Sequence, residues 1–343
     1  MQMIMASSKE AKKAYTLVRD LQNRFVSKLN DVSSEFGDAK LFEEVSWLRD
    51  EGLHGGGSRY EARDKLLFNT ASVNVSQVHY DELPEKNLQS ATAISTIIHP
   101  KNPLVPSMHM HISLTQMRDG SSYWRLMADL NPSNYNEHDQ NVFNVALANL
   151  SEDLYEEAAD QGDKYFYIPA LKRHRGVSHF YLENYKTEDQ KKDSEFALLF
   201  GEGVIDSYIS IISDALKTRT EIDTAALKNQ LDYHTLYLFQ VLTLDRGTTS
   251  GLLIHNQNDI GIMGSLPTHI DRELLKSWAT VVKTPQEELV LALAESINKN
   301  GVIDTETKEN LVEVVRRHYK KHPQALSLQA SGNTVPPTVK NHT

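Results

Sequence analysis

Residues 92–130 read TAISTIIHPKNPLVPSMHMHISLTQMRDGSSYWRLMADL, and two stretches of this run alternate without a break. From Ser107 to Thr115, Met108, Met110, Ile112 and Leu114 point one way, while Ser107, His109, His111, Ser113 and Thr115 point the other. That is the period-two pattern of a half-buried strand. Arg118-Asp119-Gly120-Ser121 is a turn signal; after it Trp124, Leu126, Ala128 and Leu130 share one face, and Tyr123, Arg125, Met127 and Asp129 the other. Directly opposed residues of a hairpin lie on the same face. Matching apolar to apolar therefore requires paired residue numbers with an even sum, hence a loop of odd length. A two-residue turn would carry Asp129 to the wrong side. The spacing predicts a three- or five-residue loop, or a bulge, with Asp129 on the face of His109 and His111.

Working outward, Thr92–His99 reads as a strand stopped by HPKNPLVP, whose three prolines prevent regular pairing. Residues 7–32 read as an amphipathic helix carrying Ala11, Tyr15, Val18, Leu21, Phe25, Leu29 and Val32 on one face, with Ser7 and Glu10 at capping-box spacing. Residues 52–59, GLHGGGSR, read as a glycine-dense loop, and 66–79 as a strand pair. Downstream, 138–160 and 195–216 are expected to be helical, 177–182 and 236–245 to be strands, and 251–262 to be another strand pair. Thr284-Pro285-Gln286-Glu287 has the pattern of a helix start, with that helix ending near Gly301, and 305–321 predicts a further helix. The division expected is one domain over 1–300, a helical extension over 301–322 and a disordered tail over 323–343. Strands enclosed by helices without βαβ alternation point to an α+β fold, a large antiparallel sheet flanked by helices on both faces.

The 343 residues include 36 basic and 46 acidic side chains, a net charge of −10. That balance argues against a general nucleic-acid binder, although a local Arg/Lys cluster can still take carboxylates. There are no cysteines, which removes disulfides, thiolate metal sites and Cys nucleophiles together. The first residues lack the apolar length of a secretory signal, and no run approaches a membrane span, so a cytoplasmic protein is expected.

The best chemical constellation is His99, His109, His111 and Asp129. Two readings fit: a divalent metal site involving His99 and His109, or acid–base work by a strand imidazole beside a carboxylate. A lone strand histidine is more often structural, and spacing does not choose between the two. Residues 55–60, GGGSRY, are expected to act as a generic glycine loop rather than a phosphate cradle, since the Walker Lys-Ser/Thr ending is missing. The basic run at 172–176 reads as a solvated surface, and no GxSxG hydrolase motif is present.

GGGSRY with LFNTASVNVSQVH, then ATAISTIIHPKNPLVPSMHMHI, WRLMADLNP, DKYFYI, RHRG, LDRGTTSGL and TPQEEL follow one another over residues 15–298. In this order they resemble the oxygen-dependent coproporphyrinogen III oxidase family of haem biosynthesis. The resemblance implies a sheet between helices and a homodimer, here expected to form through 236–262. It also implies oxidative decarboxylation of two propionates of coproporphyrinogen III to vinyl groups, giving protoporphyrinogen IX. Dioxygen is the co-substrate; no organic cofactor is needed, and a divalent metal is allowed but not required. Carried over, His109 matches the family's proton donor, Asp129 the acid that holds the pyrrole N–H groups, Ser95 a substrate-contacting serine and His99 a metal ligand.

The chain also departs from the family. Where it has Asn and Arg two and four residues after the proton donor, this sequence has His111 and Ser113. Two later histidines fall on Asn144 and Ala170, paired acids become Glu183 and Asn184, and a Gly-Gly-Arg substrate loop becomes His255-Asn256-Gln257. Arg59, Lys101, Arg125 and Arg175 are the candidates to replace the lost arginines, Arg125 because it shares the face of Asp129. The substrate contacts expected are thus Ser95, His111, Ser113, Arg125 and Arg59. A non-catalytic tetrapyrrole or small-ligand binder, and a metal-dependent enzyme using the strand histidines, are the alternatives.

Overall fold

The computed structural model describes residues 2–254, 259–336 and 338–342. Seven antiparallel strands lie side by side in the order β1 (Glu43–Leu48), β2 (Gly55–Glu61), β3 (Phe68–His79), β4 (Leu88–Pro100), β5 (Ser107–Met117), β6 (Ser122–Asn131) and β9 (Ser178–Tyr185). β7 (Tyr167–Ile168) and β8 (Arg173–His174) form a separate two-residue ribbon. The central hairpin has the register its alternation demands: His109 faces Asp129 and Gln116 faces Ser122, leaving five residues between them. Met117 N–H donates to Ser121 C=O at 2.8 Å, and Gly120 takes the left-handed turn position at φ 87°.

One sheet face is apolar. Val73, Val75, Ile94, Met110, Ile112, Leu126 and Ala128 pack on α1 (Lys9–Phe36) and α4 (Gln190–Thr218) through Leu21, Phe25, Phe200 and Val204, with α2 (Glu137–Ser151) beside them. α4 is long and apolar enough to cross a membrane by length and composition. Its apolarity is accounted for here by Phe200, Val204, Ile205 and Tyr208, all buried in this core. The opposite face carries α3 (Tyr155–Phe166) at its β9 end and, over its centre, α5 (Thr224–Thr243), α6 (Arg246–Ile254), α7 (Asp259–Ile262), α8 (Arg272–Ser277), α9 (Gln286–Glu295) and α10 (Thr305–Lys321). The α+β architecture with helices on both faces is as the sequence predicts.

Several local expectations are corrected. The first helix is capped by Ser8, whose Oγ accepts from Ala11 N–H, one residue later than expected. Residues 55–61 form a strand rather than a loop: a Cβ on Gly57 would lie 2.2 Å from Val75 O and 2.7 Å from the Trp47 ring, so the glycine lets that indole lie against the sheet. Residues 66–79 supply one long strand instead of two, and the second predicted helix is broken at 152–154.

The segment 236–245 is not a strand but the second half of α5. Every residue from Leu236 to Thr243 is buried, and a helix surrounded by protein has no polar face to betray its period. Those side chains are consumed within the chain, so α5 gives a second copy nothing to pair with along 236–243. Residues 251–254 and 259–262 are likewise helical, not a strand pair. The helix after Pro285 ends at Glu295, short of Gly301.

Residues 305–321 form a helix as predicted, and its Leu311, Val315 and Tyr319 join one core with Leu238, Leu242, Leu289 and Leu293 of α5 and α9. Residues 323–336 and 338–342 are not a free tail. Arg246 donates to Ala330 O at 2.6 Å, Ala330 N–H donates to Leu244 O at 2.9 Å, and Tyr80 Oη meets His342 Nδ1 at 3.0 Å.

Candidate active site

The polar face of the sheet and the inner side of α5–α7 enclose a cavity of about 240 Å³. Its floor is set by register. Ser72, Ile97 and His109 share one row of cross-strand neighbours; Asn74, Ser95, His111 and Met127 the next; Ser76, Ala93, Ser113 and Arg125 the third. Its roof includes Tyr165, Arg175, Tyr237, Asp245 and Thr248.

His109 Nδ1–H donates to Asp129 Oδ1 at 2.7 Å. With Nδ1 so engaged, its Nε2 is left to the cavity. Asp129 is wholly buried and does not itself line the hollow. Its other oxygen accepts from Arg175 Nη2 and Asn131 Nδ2, both at 2.6 Å. Burial alone would raise its pKa; Arg175, His109 and Asn131 outweigh burial and hold the carboxyl well below the usual range. Arg175 also donates to Gln240 Oε1 at 2.6 Å, and its guanidinium carbon stands 4.6 Å from the Phe166 ring centre and 5.3 Å from that of Tyr237. Asp129 thus stands behind His109 as its orienting carboxylate, not in front of a ligand. His109, Asp129 and Arg175 form one charge-linked chain from cavity to core.

A second buried pair lies one strand over. Arg125 Nε and Nη2 donate to Glu183 at 2.6 and 3.0 Å, and Tyr181 Oη–H also donates to Glu183. Burial works against the guanidinium charge, but Glu183 more than offsets it, and the Arg125 pKa ends well above its ordinary value. Tyr165 donates to Asp245 Oδ2 at 2.8 Å, while Thr248 N–H donates to Asp245 Oδ1 at 2.7 Å. The phenol of Tyr237 is pushed up to about 12, chiefly by burial, Arg175 acting against it.

The structure sorts the sequence candidates. Ser95, His109, His111 and Arg125 line the cavity. Ser113 Oγ stands 3.0 Å from His111 Nε2 and is not among the cavity-lining residues. Arg59 is bound to Glu61 at 2.6 Å and lies outside the cavity lining, and Lys101 is exposed away from it. The substituted loop His255-Asn256-Gln257 lies outside the described residues.

His99 is also off the cavity, in a stack with Tyr237, His234 and Tyr233, its Nδ1 3.0 Å from Ser107 Oγ. Among the described residues no group of three His, Asp or Glu side chains is gathered for a metal. The expected pairing of His99 with His109 as ligands therefore has no third partner there. Sequence reasoning missed Arg49, a cavity residue whose signal was the alternation Val45, Trp47, Arg49 leading into the glycine run.

His99, His111 and His234 are held neutral, first by burial and then by cationic or imidazole neighbours; His234 is pulled down to about 3, with Lys101 and His269 adding to burial. Unfolded imidazoles take a proton near pH 6.5, whereas these resist it in the folded chain. Stability is therefore untouched above that pH and falls as acid is added below it; for His234 the loss is about 2 kcal/mol near pH 5. Urea unfolding at about pH 7.5 and about pH 5 should show His234→Phe losing about 2 kcal/mol less on acidification than the parent. Equal acid losses in the two proteins would contradict this account.

The family model for coproporphyrinogen III oxidase matches residues 13–298, most of the 343, spanning every strand of the sheet and the helices up to α9. The chain belongs to the coproporphyrinogen III oxidase family, oxidoreductases of haem biosynthesis.

Proposed function

We propose that the protein is an oxygen-dependent coproporphyrinogen III oxidase that converts ring propionates to vinyl groups. The observation that carries this reading is the cavity-facing imidazole of His109, fixed from behind by the buried Asp129–Arg175 pair, in a chain of this family. Each conversion takes one propionate side chain, one dioxygen and one proton, and yields one vinyl group, carbon dioxide and hydrogen peroxide. The carbon–carboxylate bond breaks, one hydrogen leaves the neighbouring carbon, and two electrons reduce the dioxygen. No organic cofactor enters this balance.

Within it, His109 Nε2 accepts the pyrrole N–H proton, and the resulting imidazolium is stabilised by Asp129. Arg175 keeps Asp129 ionised, so that the carboxylate supports a positive imidazole without taking its proton. Ser95 and His111 supply hydrogen-bonding groups to the same floor.

Incubation with coproporphyrinogen III under air should give a product lighter by one carbon dioxide and two hydrogens per converted propionate, with peroxide formed in step. Absence of both products with reduced substrate would refute the reading. One observation favours a second reading: Arg125 and Arg175, two candidate substitutes for the missing arginine, are bound to carboxylates of the chain itself. A ligand-binding homologue without turnover would then titrate with porphyrin by absorbance and form neither product.

A further inference from the structure

One charged side chain of the cavity is paired with no carboxylate among the described residues. Arg49 follows β1, on the face of Trp47, and is nine-tenths buried. Its Nε and Nη1 meet no acceptor, and its guanidinium carbon stands 4.7 Å from the Trp47 ring centre. Burial pulls its pKa down to about 10, with Tyr80 and Asp50 acting against the fall, so it remains a cation at neutral pH. The other arginines on this face differ: Arg125 is matched by Glu183, Arg175 by Asp129 and Arg59 by Glu61. A buried cation without a counter-charge destabilises a fold, and native interiors rarely hold one unless a ligand supplies the charge.

We propose that Arg49 is a carboxylate-recognition residue of this cavity, taking an anionic side chain of the ligand remote from the one that reacts at His109. The identification of the ligand rests on the function proposed above; the anion site does not. Arg49 directly follows β1 and His109 belongs to β5, four strands apart, or about 19 Å across the sheet at ~4.8 Å per strand. A single ligand that meets both is therefore broad and carries more than one carboxylate, as a polypropionate macrocycle does and a small monoacid does not. Ser113 shares its cross-strand row with Trp47, and Arg49 follows Trp47 by two residues, its N–H donating to Gly55 O at 3.0 Å.

The test compares coproporphyrin III with its tetramethyl ester, and separately a single pyrrole propionic acid, on the parent protein, Arg49→Gln and Arg49→Lys. The parent should bind the tetracarboxylate at least about 10-fold more tightly than the ester, the range of one charge-assisted hydrogen-bond pair. Arg49→Gln should erase that preference and Arg49→Lys restore part of it. The unliganded Arg49→Gln protein should melt no lower than the parent, because a desolvated charge has been removed; an arginine held for structure alone would give a lower Tm. Pyrrole propionic acid binding that depends on Arg49, without porphyrin binding, would keep the anion site and remove the tetrapyrrole. Equal binding of acid and ester by the parent, equal affinities in parent and Arg49→Gln, or no binding of either acid would overturn the proposal.

Discussion

Asp129→Asn is expected to lower the unfolding free energy by about 3–5 kcal/mol, the cost of breaking a buried ion pair from one side. The charge left behind is that of Arg175, clamped by Gln240 and the rings of Phe166 and Tyr237, so it cannot swing out to water. An asparagine retains one acceptor, but its NH₂ group has to face either the His109 Nδ1–H or the Arg175 donors. Adding Arg175→Met to Asp129→Asn should recover much of the loss, with a coupling of about 1–3 kcal/mol in the double-mutant cycle. Denaturant midpoints at neutral pH measure this. A loss below about 1 kcal/mol in the single variant would mean that the pair is not held as described.

The pH dependence has a definite sign. The Asp129 carboxyl is held below its unfolded value, so its contribution is complete above about pH 4 and disappears only as acid carries the pH down through the folded value. The gap between parent and variant should accordingly persist through the weakly acidic range where His234 begins to matter.

His109→Gln is the complementary case. Turnover should fall by about 10²–10⁴, the usual contribution of a positioned proton-transfer group. The fold should lose no more than about 1 kcal/mol, because Asp129 keeps its bonds from Arg175 and Asn131 and only one bond of its set is weakened. Porphyrin affinity, read by absorbance, should change little if the imidazole acts on the proton rather than on binding. A variant that turns over within tenfold of the parent would place the base elsewhere. The two substitutions together separate a residue that works at the ligand from one that works through its neighbour.

How much of this could be read from the chain follows from the range of the interactions involved. Period-two alternation is local, so the β5–β6 register, and with it the His109–Asp129 contact, was legible from residues 107–130. The partner of Asp129 was not, because Arg175 reaches it across 46 residues and only the packing of β9 and α5 brings the two together. Nor could residue type reveal which arginine stays without a counter-ion: Arg59, Arg125 and Arg175 each find a carboxylate contributed by the folded chain, and Arg49 does not. α5 was misread because total burial removes the polar stripe that marks a helix, leaving apolar and aromatic residues that also suit a strand. The glycine run looked like a loop because its role is to admit the Trp47 indole, a close approach that only three-dimensional neighbours disclose.

Inheritance and cohesion have different borders in this molecule. The family likeness stops at 298, yet His318 and Tyr319 of α10 bond to Gln286 on α9, at 2.8 and 3.3 Å, and Tyr319 donates to Thr243 O of α5 at 3.1 Å. A piece cut at 298 would bare Leu238, Leu242, Leu289 and Leu293 and leave Gln286 and Thr243 O without their α10 partners. Residues beyond the family match thus help to hold α5 in place, and with it Tyr237 and Val241, which line the cavity.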